Sequence, residues 1–130
     1  MKSLYNAIRL TGLLFVLMTS GVYADYKGEL SQAQAQEKMA AGAITVIDVR
    51  SAGEYQAGHV PGALNIPYDQ IEQHLDQISM LKNKPVLLYC RSGRRAGMAE
   101  STLTQLGFTQ LYHLEGDMMD WSKNQLPEEK

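Results

Sequence analysis

The hydrophobic positions change period several times along the chain, and each change marks an element. Residues 44–49 (Ile-Thr-Val-Ile-Asp-Val) form a β-branched run of strand length, apolar enough to be buried on both faces. Residues 85–89 are a second such run and residues 109–114 a third, while residues 64–66 make a brief strand that stops at Pro67. Helical patterns lie between them. Ser31 with Gln34 makes a capping box, so a helix is predicted over residues 32–41, stopped by Gly42. Residues 52–57 make a short helix closed by Gly58, and residues 68–78 an amphipathic one with Ile71, Leu75 and Ile78 on its apolar side. Residues 94–106 are predicted helical, with Met98, Leu103 and Leu106 on one side and Gly107 as the stop. A last short helix covers residues 117–123, and residues 127–130 read as a frayed tail. Strands alternating with helices imply an α/β domain around a mainly parallel sheet.

The first 24 residues do not belong to this pattern. Lys2 and Arg9 bracket a positive stretch, no acidic residue precedes Asp25, and residues 10–18 are mostly apolar. Val22-Tyr23-Ala24 then supplies the end of a signal peptide, with cleavage expected after Ala24. The apolar run is shorter than the roughly 20 residues that cross a bilayer. The expectation is therefore a periplasmic or secreted protein with no stable membrane anchor after cleavage; an uncleaved N-terminal anchor is the alternative. Residues 25–130 suit a single domain, its core at about residues 30–124. A chain that is 45% apolar and 20% charged is an ordinary globular one, which excludes collagen, coiled coil and wholesale disorder. The formal net charge is −2, and cleavage removes two basic groups and no acidic one, so no basic field points to nucleic acid.

The single cysteine changes the picture. It excludes an intramolecular disulfide and a four-cysteine zinc site, and no metal site is expected. Cys90 falls at the carboxyl end of the 85–89 strand, followed by Arg91-Ser92-Gly93-Arg94-Arg95 and a helix start. In open α/β sheets ligands bind at such strand ends. A helix N-terminus offers unsatisfied N–H groups and partial positive charge, which favour thiolate over thiol. Gly93 lets successive N–H groups turn toward one centre, and three of the chain's five arginines lie in this loop. The reading is an ionised cysteine in a partly open, anion-binding cradle. An inert buried thiol beside a solvated helix start is the bland alternative.

Two stretches carry a resemblance to a known family. Residues 46–50 (Val-Ile-Asp-Val-Arg) lead to Glu54-Tyr55-Gln56-Ala57-Gly58-His59-Val60-Pro61-Gly62-Ala63-Leu64-Asn65-Ile66-Pro67, and residues 90–95 form a loop of pattern Cys-x4-Arg. In these the chain resembles the single-domain rhodaneses, over about residues 30–121. The resemblance implies a rhodanese-like fold and thiosulfate sulfurtransferase activity. Cys90 would attack the outer sulfur of thiosulfate or a similar small anionic donor, with Arg91 and Arg94 stabilising the departing sulfite. The resulting persulfide, its terminal sulfur held by N–H groups from Arg91 through Arg95 (Ser92 and Gly93 included), would pass to cyanide, a thiol or a protein acceptor. No metal, nucleotide or redox cofactor is implied.

Related phosphatases carry a seven-residue loop, Cys-x5-Arg, but Ala96 stands where that arginine is needed. A sulfur carrier acting only with a docked partner is the alternative from another class, and a catalytically silent interaction module is the weakest. Asp48, Arg50 and His59 are read as supporting groups, structural rather than catalytic, and His74 and His113 as isolated, without ligand spacing, surface or satisfied core groups. Met118 and Met119 are assigned to the core, with a place at the pocket mouth as the alternative, and Trp121 is read as closing the core. One departure stands out: the family often has Gly-Gly before the last helix, whereas this chain has Gly116-Asp117. Asp117 is expected to cap that helix and to bias which donors and acceptors approach.

Overall fold

The computed structural model describes residues 26–130; the segment read as a signal peptide, with its cleavage point, lies outside the described residues. Five strands, β1 (Tyr26–Leu30), β2 (Thr45–Asp48), β3 (Leu64–Asn65), β4 (Val86–Tyr89) and β5 (Leu111–Leu114), form one sheet in the order β1-β5-β4-β2-β3. Every pairing is parallel. Helices α1 (Gln32–Ala40), α2 (Ala52–Ala57), α3 (Leu75–Ile78), α4 (Arg94–Gln105) and α5 (Asp117–Lys123) cover its faces.

The central strand explains why its sequence is apolar without interruption. Alternate side chains of a strand point to opposite faces. Val86, Leu88 and Cys90 therefore pack with Ala96, Ala99, Leu103 and Phe108 on one face, while Leu87 and Tyr89 pack with Leu30, Leu114 and Trp121 on the other. Each fully buried Leu contributes about 1.5–3 kcal/mol relative to exposure, so both faces favour the same register. α1 and α2 begin at Ser31 and Ser51 with complete capping boxes, closed by Gln34 and Glu54.

Four expectations change. The strand Tyr26–Leu30 had no sequence signal, because Lys27-Gly28-Glu29 interrupts any apolar run. Its pairing with β5, including Glu29 opposite His113, is what makes it a strand. The helix expected over residues 68–78 is broken into a 3-10 turn at Glu72–His74, α3, and a second 3-10 turn at Ser79–Leu81. None of these starts has a side-chain cap, yet Ile71 and Ile78 are buried, so tight turns serve the same apolar stripe. α4 buries Ala96, Ala99 and Leu103 and leaves Met98 44% exposed, because the two alanines let the helix sit close on the sheet. The tail is held rather than frayed: Trp121 Nε1 donates to the Pro127 carbonyl at 2.8 Å, and His59 and Glu129 exchange two backbone hydrogen bonds of 2.9 Å.

Candidate active site

β4 ends at Tyr89, so Cys90 is the first residue past the carboxyl end of the central strand. The chain turns at Gly93, whose φ of +115° is costly for any side chain, and α4 starts at Arg94. The turn aims backbone donors at the sulfur. The Gly93 N–H lies 3.0 Å from Cys90 Sγ and the Ala96 N–H 3.4 Å. The N–H groups of Arg91, Ser92, Arg94 and Arg95 have no acceptor among the described residues. Two donors thus already serve the sulfur, with four more on the same short loop at a helix N-terminus, an arrangement that favours negative charge there. Cys90 is only 1% exposed, so the partly open setting read from the sequence is instead a closed one, wrapped by the loop and α4.

α5 holds this loop from behind. The Met118 N–H donates to the Cys90 carbonyl at 3.0 Å and the Met119 N–H to the Arg91 carbonyl at 3.1 Å. Asp117 is not the cap the sequence suggested. Gly116 holds the N-cap position without a side-chain cap bond, and the Asp117 carboxylate, in a residue 2% exposed, turns inward to accept the Cys90 N–H at 3.0 Å. A buried carboxylate gains more from that N–H and from a hydrogen-bonding imidazole than from capping a solvated helix start. It therefore does not face incoming donors or acceptors. His113, read as isolated, has Nε2 at 3.0 Å from both Asp117 oxygens and Nδ1 at 2.8 Å from Glu29 Oε2.

Two further networks brace the site. Asp48 accepts from the Arg50 backbone N–H at 2.9 Å, from its guanidinium at 2.7–3.1 Å, and from the Tyr89 hydroxyl at 2.6 Å. The Tyr89 oxygen in turn accepts the Val60 N–H, and Arg50 Nη2 reaches the Gly58 carbonyl. Burial, and then the Asp48 charge, push the Tyr89 phenol far above its ordinary range, so it remains a neutral donor. Burial works against the Arg50 charge, but the hydrogen bonds and charge of Asp48 outweigh it and hold the guanidinium firmly protonated. The second network is Arg95 with Glu54, a bidentate pair at 2.7 and 3.0 Å. The hydrogen bond from Arg95 is the main cause that lowers the Glu54 carboxyl to about 2. The Arg95 guanidinium is thus committed to α2, and only its N–H is available to the loop. His59 is buried, stacked on Tyr55 with ring centroids 3.6 Å apart and with Nδ1 2.8 Å from the Tyr55 carbonyl.

Arg91 and Arg94, unlike Arg95, are exposed and have no ion-pair partner among the described residues. They line different depressions. Arg91 borders a cleft of about 730 Å³ with Arg50, Gly58, Met118, Met119 and Lys123, whereas Arg94 borders a groove of about 550 Å³ with Tyr68, Met98 and Thr102. Met118 is both buried and at the cleft wall, and Met119 is 49% exposed rather than in the core. The Ser92 side chain is exposed, and His74 caps no chemistry, its Nδ1 lying 2.8 Å from the Gln70 carbonyl. Sequence reasoning missed Glu29, Glu54 and the pairing of His113 with Asp117. A Ser51–Glu54 capping-box spacing and the i, i+4 spacing of His113 and Asp117 were signals that could have found two of these, but Glu29 needed the register of β1.

The sequence and the fold that carry this site are matched by known proteins. Residues 31–124 match the model of the rhodanese-like domain, and the chain belongs to that family. It is 37% identical over 98 residues to the uncharacterized protein YqhL of Bacillus subtilis, spanning 74% of this chain and 76% of that one. It is 37% identical over 70 residues to the thiosulfate sulfurtransferase PspE of Escherichia coli, spanning 54% of this chain and 67% of that protein. The putative sulfur carrier protein YrkF of Bacillus subtilis is 32% identical over 79 residues, 61% of this chain but 42% of its own length. Among solved structures, the BH2092 protein from Bacillus halodurans superposes with a TM-score of 0.69 at 31% identity, covering 81% of this chain and 77% of that one.

Proposed function

We propose that this chain is an exported sulfurtransferase that carries sulfane sulfur as a persulfide on Cys90. The observation that carries the reading is the sulfur itself, with Gly93 and Ala96 N–H groups directed at it and four more N–H groups of the loop and helix start without an acceptor among the described residues. A thiolate in that setting is a nucleophile whose charge is already met by donors. With thiosulfate as donor, the Cys90 thiolate attacks the outer sulfur, the sulfur–sulfur bond of the donor breaks, and sulfite leaves with the electron pair. The new terminal sulfur keeps one negative charge and takes the loop N–H groups as its donors. Arg91, exposed and without an ion-pair partner among the described residues, supplies mobile positive charge for the leaving dianion; Arg94 serves from the other side of the loop. Cyanide, a thiolate or a protein thiol then attacks the terminal sulfur, and the Cys90 thiolate is regenerated. Donor and acceptor balance the electrons, and the scheme uses no metal, nucleotide or redox cofactor.

Two half-reactions at one sulfur predict ping-pong kinetics. Initial rates of thiocyanate formation, measured over a grid of thiosulfate and cyanide concentrations, should give parallel double-reciprocal lines, and intersecting lines would contradict the scheme. A second reading is favoured by the 1% exposure of Cys90 and by the relative named a putative sulfur carrier. In that reading the loaded sulfur passes only to a docked protein thiol. Stoichiometric loading without turnover on cyanide or small thiols would select it.

A further inference from the structure

Asp117 holds an expensive position. Its φ is +53°, the left-handed region that glycine enters freely and aspartate more readily than most side chains. Its carboxylate is also buried, in a residue only 2% exposed. A desolvated acid persists where its surroundings fix it. Here the fixing partners are the nucleophile's own backbone N–H, 3.0 Å from Oδ1, and His113 Nε2, 3.0 Å from both oxygens. With Glu29 on Nδ1 at 2.8 Å, both ring nitrogens of His113 face carboxylates. Both nitrogens are thereby engaged, and the ring ties Asp117 to Glu29.

The same turn takes the other side of the nucleophile. While Asp117 accepts the Cys90 N–H, the next residue of α5 donates to the Cys90 carbonyl, and Met119 donates to that of Arg91. Carbonyls held outward in this way leave the loop's remaining N–H groups to turn inward. Asp117 also lies against the hinge of the loop, 3.3 Å from where a Cβ on Gly93 would stand, with His113 3.8 Å from the same point. Three elements therefore meet behind Cys90: β1 through Glu29, β5 through His113 and α5 through Asp117.

We infer that Asp117, supported by His113 and Glu29, is a positioning residue that clamps the Cys90 peptide so that the loop's amides face the reacting sulfur. It touches neither donor nor acceptor. The kinetic part of this inference rests on the sulfur-transfer reading, whereas its structural part does not.

The test uses Asp117→Gly, Asp117→Asn and His113→Gln in the mature protein. Glycine removes the carboxylate while accepting the same φ. Asparagine keeps an oxygen for the Cys90 N–H. In the glycine variant, amide hydrogen exchange at Cys90, read by NMR without any sulfur donor, should quicken about tenfold or more. Persulfide formation should slow by about the same factor, with the KM for thiosulfate within about twofold, since Arg91 and Arg94 are untouched. Asparagine should restore both to within about threefold of wild type, and His113→Gln should fall between. Wild-type exchange and rates in Asp117→Gly, or an asparagine variant no better than glycine, would overturn the clamp. If the glycine variant fails to fold, the ordering of the asparagine and His113→Gln variants decides. A wild-type protein inert toward sulfur donors would sink the functional reading alone, and the exchange data would still judge the clamp.

Discussion

Gly93→Ala probes the loop with a single methyl group. At Gly93 the backbone sits at φ +115°, ψ −23°, beyond the region that even asparagine and aspartate favour. Placing a Cβ there costs about 1–3 kcal/mol of backbone strain. The new methyl would also lie 3.3 Å from Asp117 Oδ2, whose position is fixed by the Cys90 N–H and His113, so the neighbour yields poorly. A combined destabilisation of about 3 kcal/mol is expected, observable as a lowered urea midpoint at unchanged m-value. The catalytic effect should be larger than the stability loss implies. Relief of strain rotates the 92–93 peptide, and with it the N–H now 3.0 Å from Cys90 Sγ. Loss of one preorganised donor of this kind typically costs about 10²–10³ in rate. Sulfur-loading rates should therefore be measured under conditions where circular dichroism shows the variant folded. A Gly93→Ala protein with wild-type midpoint and loading rate would refute both the strain and the donor argument.

Other perturbations address the braces and the cations. Tyr89→Phe removes the donor to buried Asp48 and leaves the Val60 N–H unsatisfied, so chemical denaturation should show a loss of about 3 kcal/mol. The Glu54 carboxyl, lowered to about 2 in the folded protein from 4.5, contributes stability that is present above about pH 4.5 and lost as the pH falls toward 2. Because the pair is partly solvated, its worth is about 1 kcal/mol; the stability gap between wild type and Glu54→Gln should be open at pH 6 and closed near pH 2 in acid titrations of the urea midpoint. Arg91→Ala and Arg94→Ala line different depressions, so the double variant should raise the KM for thiosulfate by the product of the single effects, within a factor of about two in steady-state assays.

Local patterns in the sequence were the ones that translated into structure. The unbroken apolar run at 85–89 means a strand buried on both faces, and Val86 to Cys90 alternate between two cores accordingly. Ser31 announces a helix through a partner three residues away, and that capping box forms; the matching box at Ser51 and Glu54 was equally local but went unread. The Cys90 loop was legible for the same reason: cysteine, glycine and helix start are contiguous. What escaped depends on register and long-range pairing. Glu29 meets His113 across 84 residues only because β1 adds to the sheet edge beside β5. Asp117 was misplaced as a cap because its spacing to the helix was visible, whereas its burial against Cys90 was not. The stretch at 68–81 shows the limit of periodicity: its apolar stripe is buried, but without a cap the backbone divides among short turns.

Intact mass spectrometry of the mature protein after incubation with thiosulfate tests the central claim most directly. The account predicts a gain of one sulfur atom on the wild-type chain, removed by cyanide and absent from Cys90→Ser. An unmodified wild-type mass with thiosulfate and with other sulfane donors, or an adduct that survives in Cys90→Ser, would contradict it.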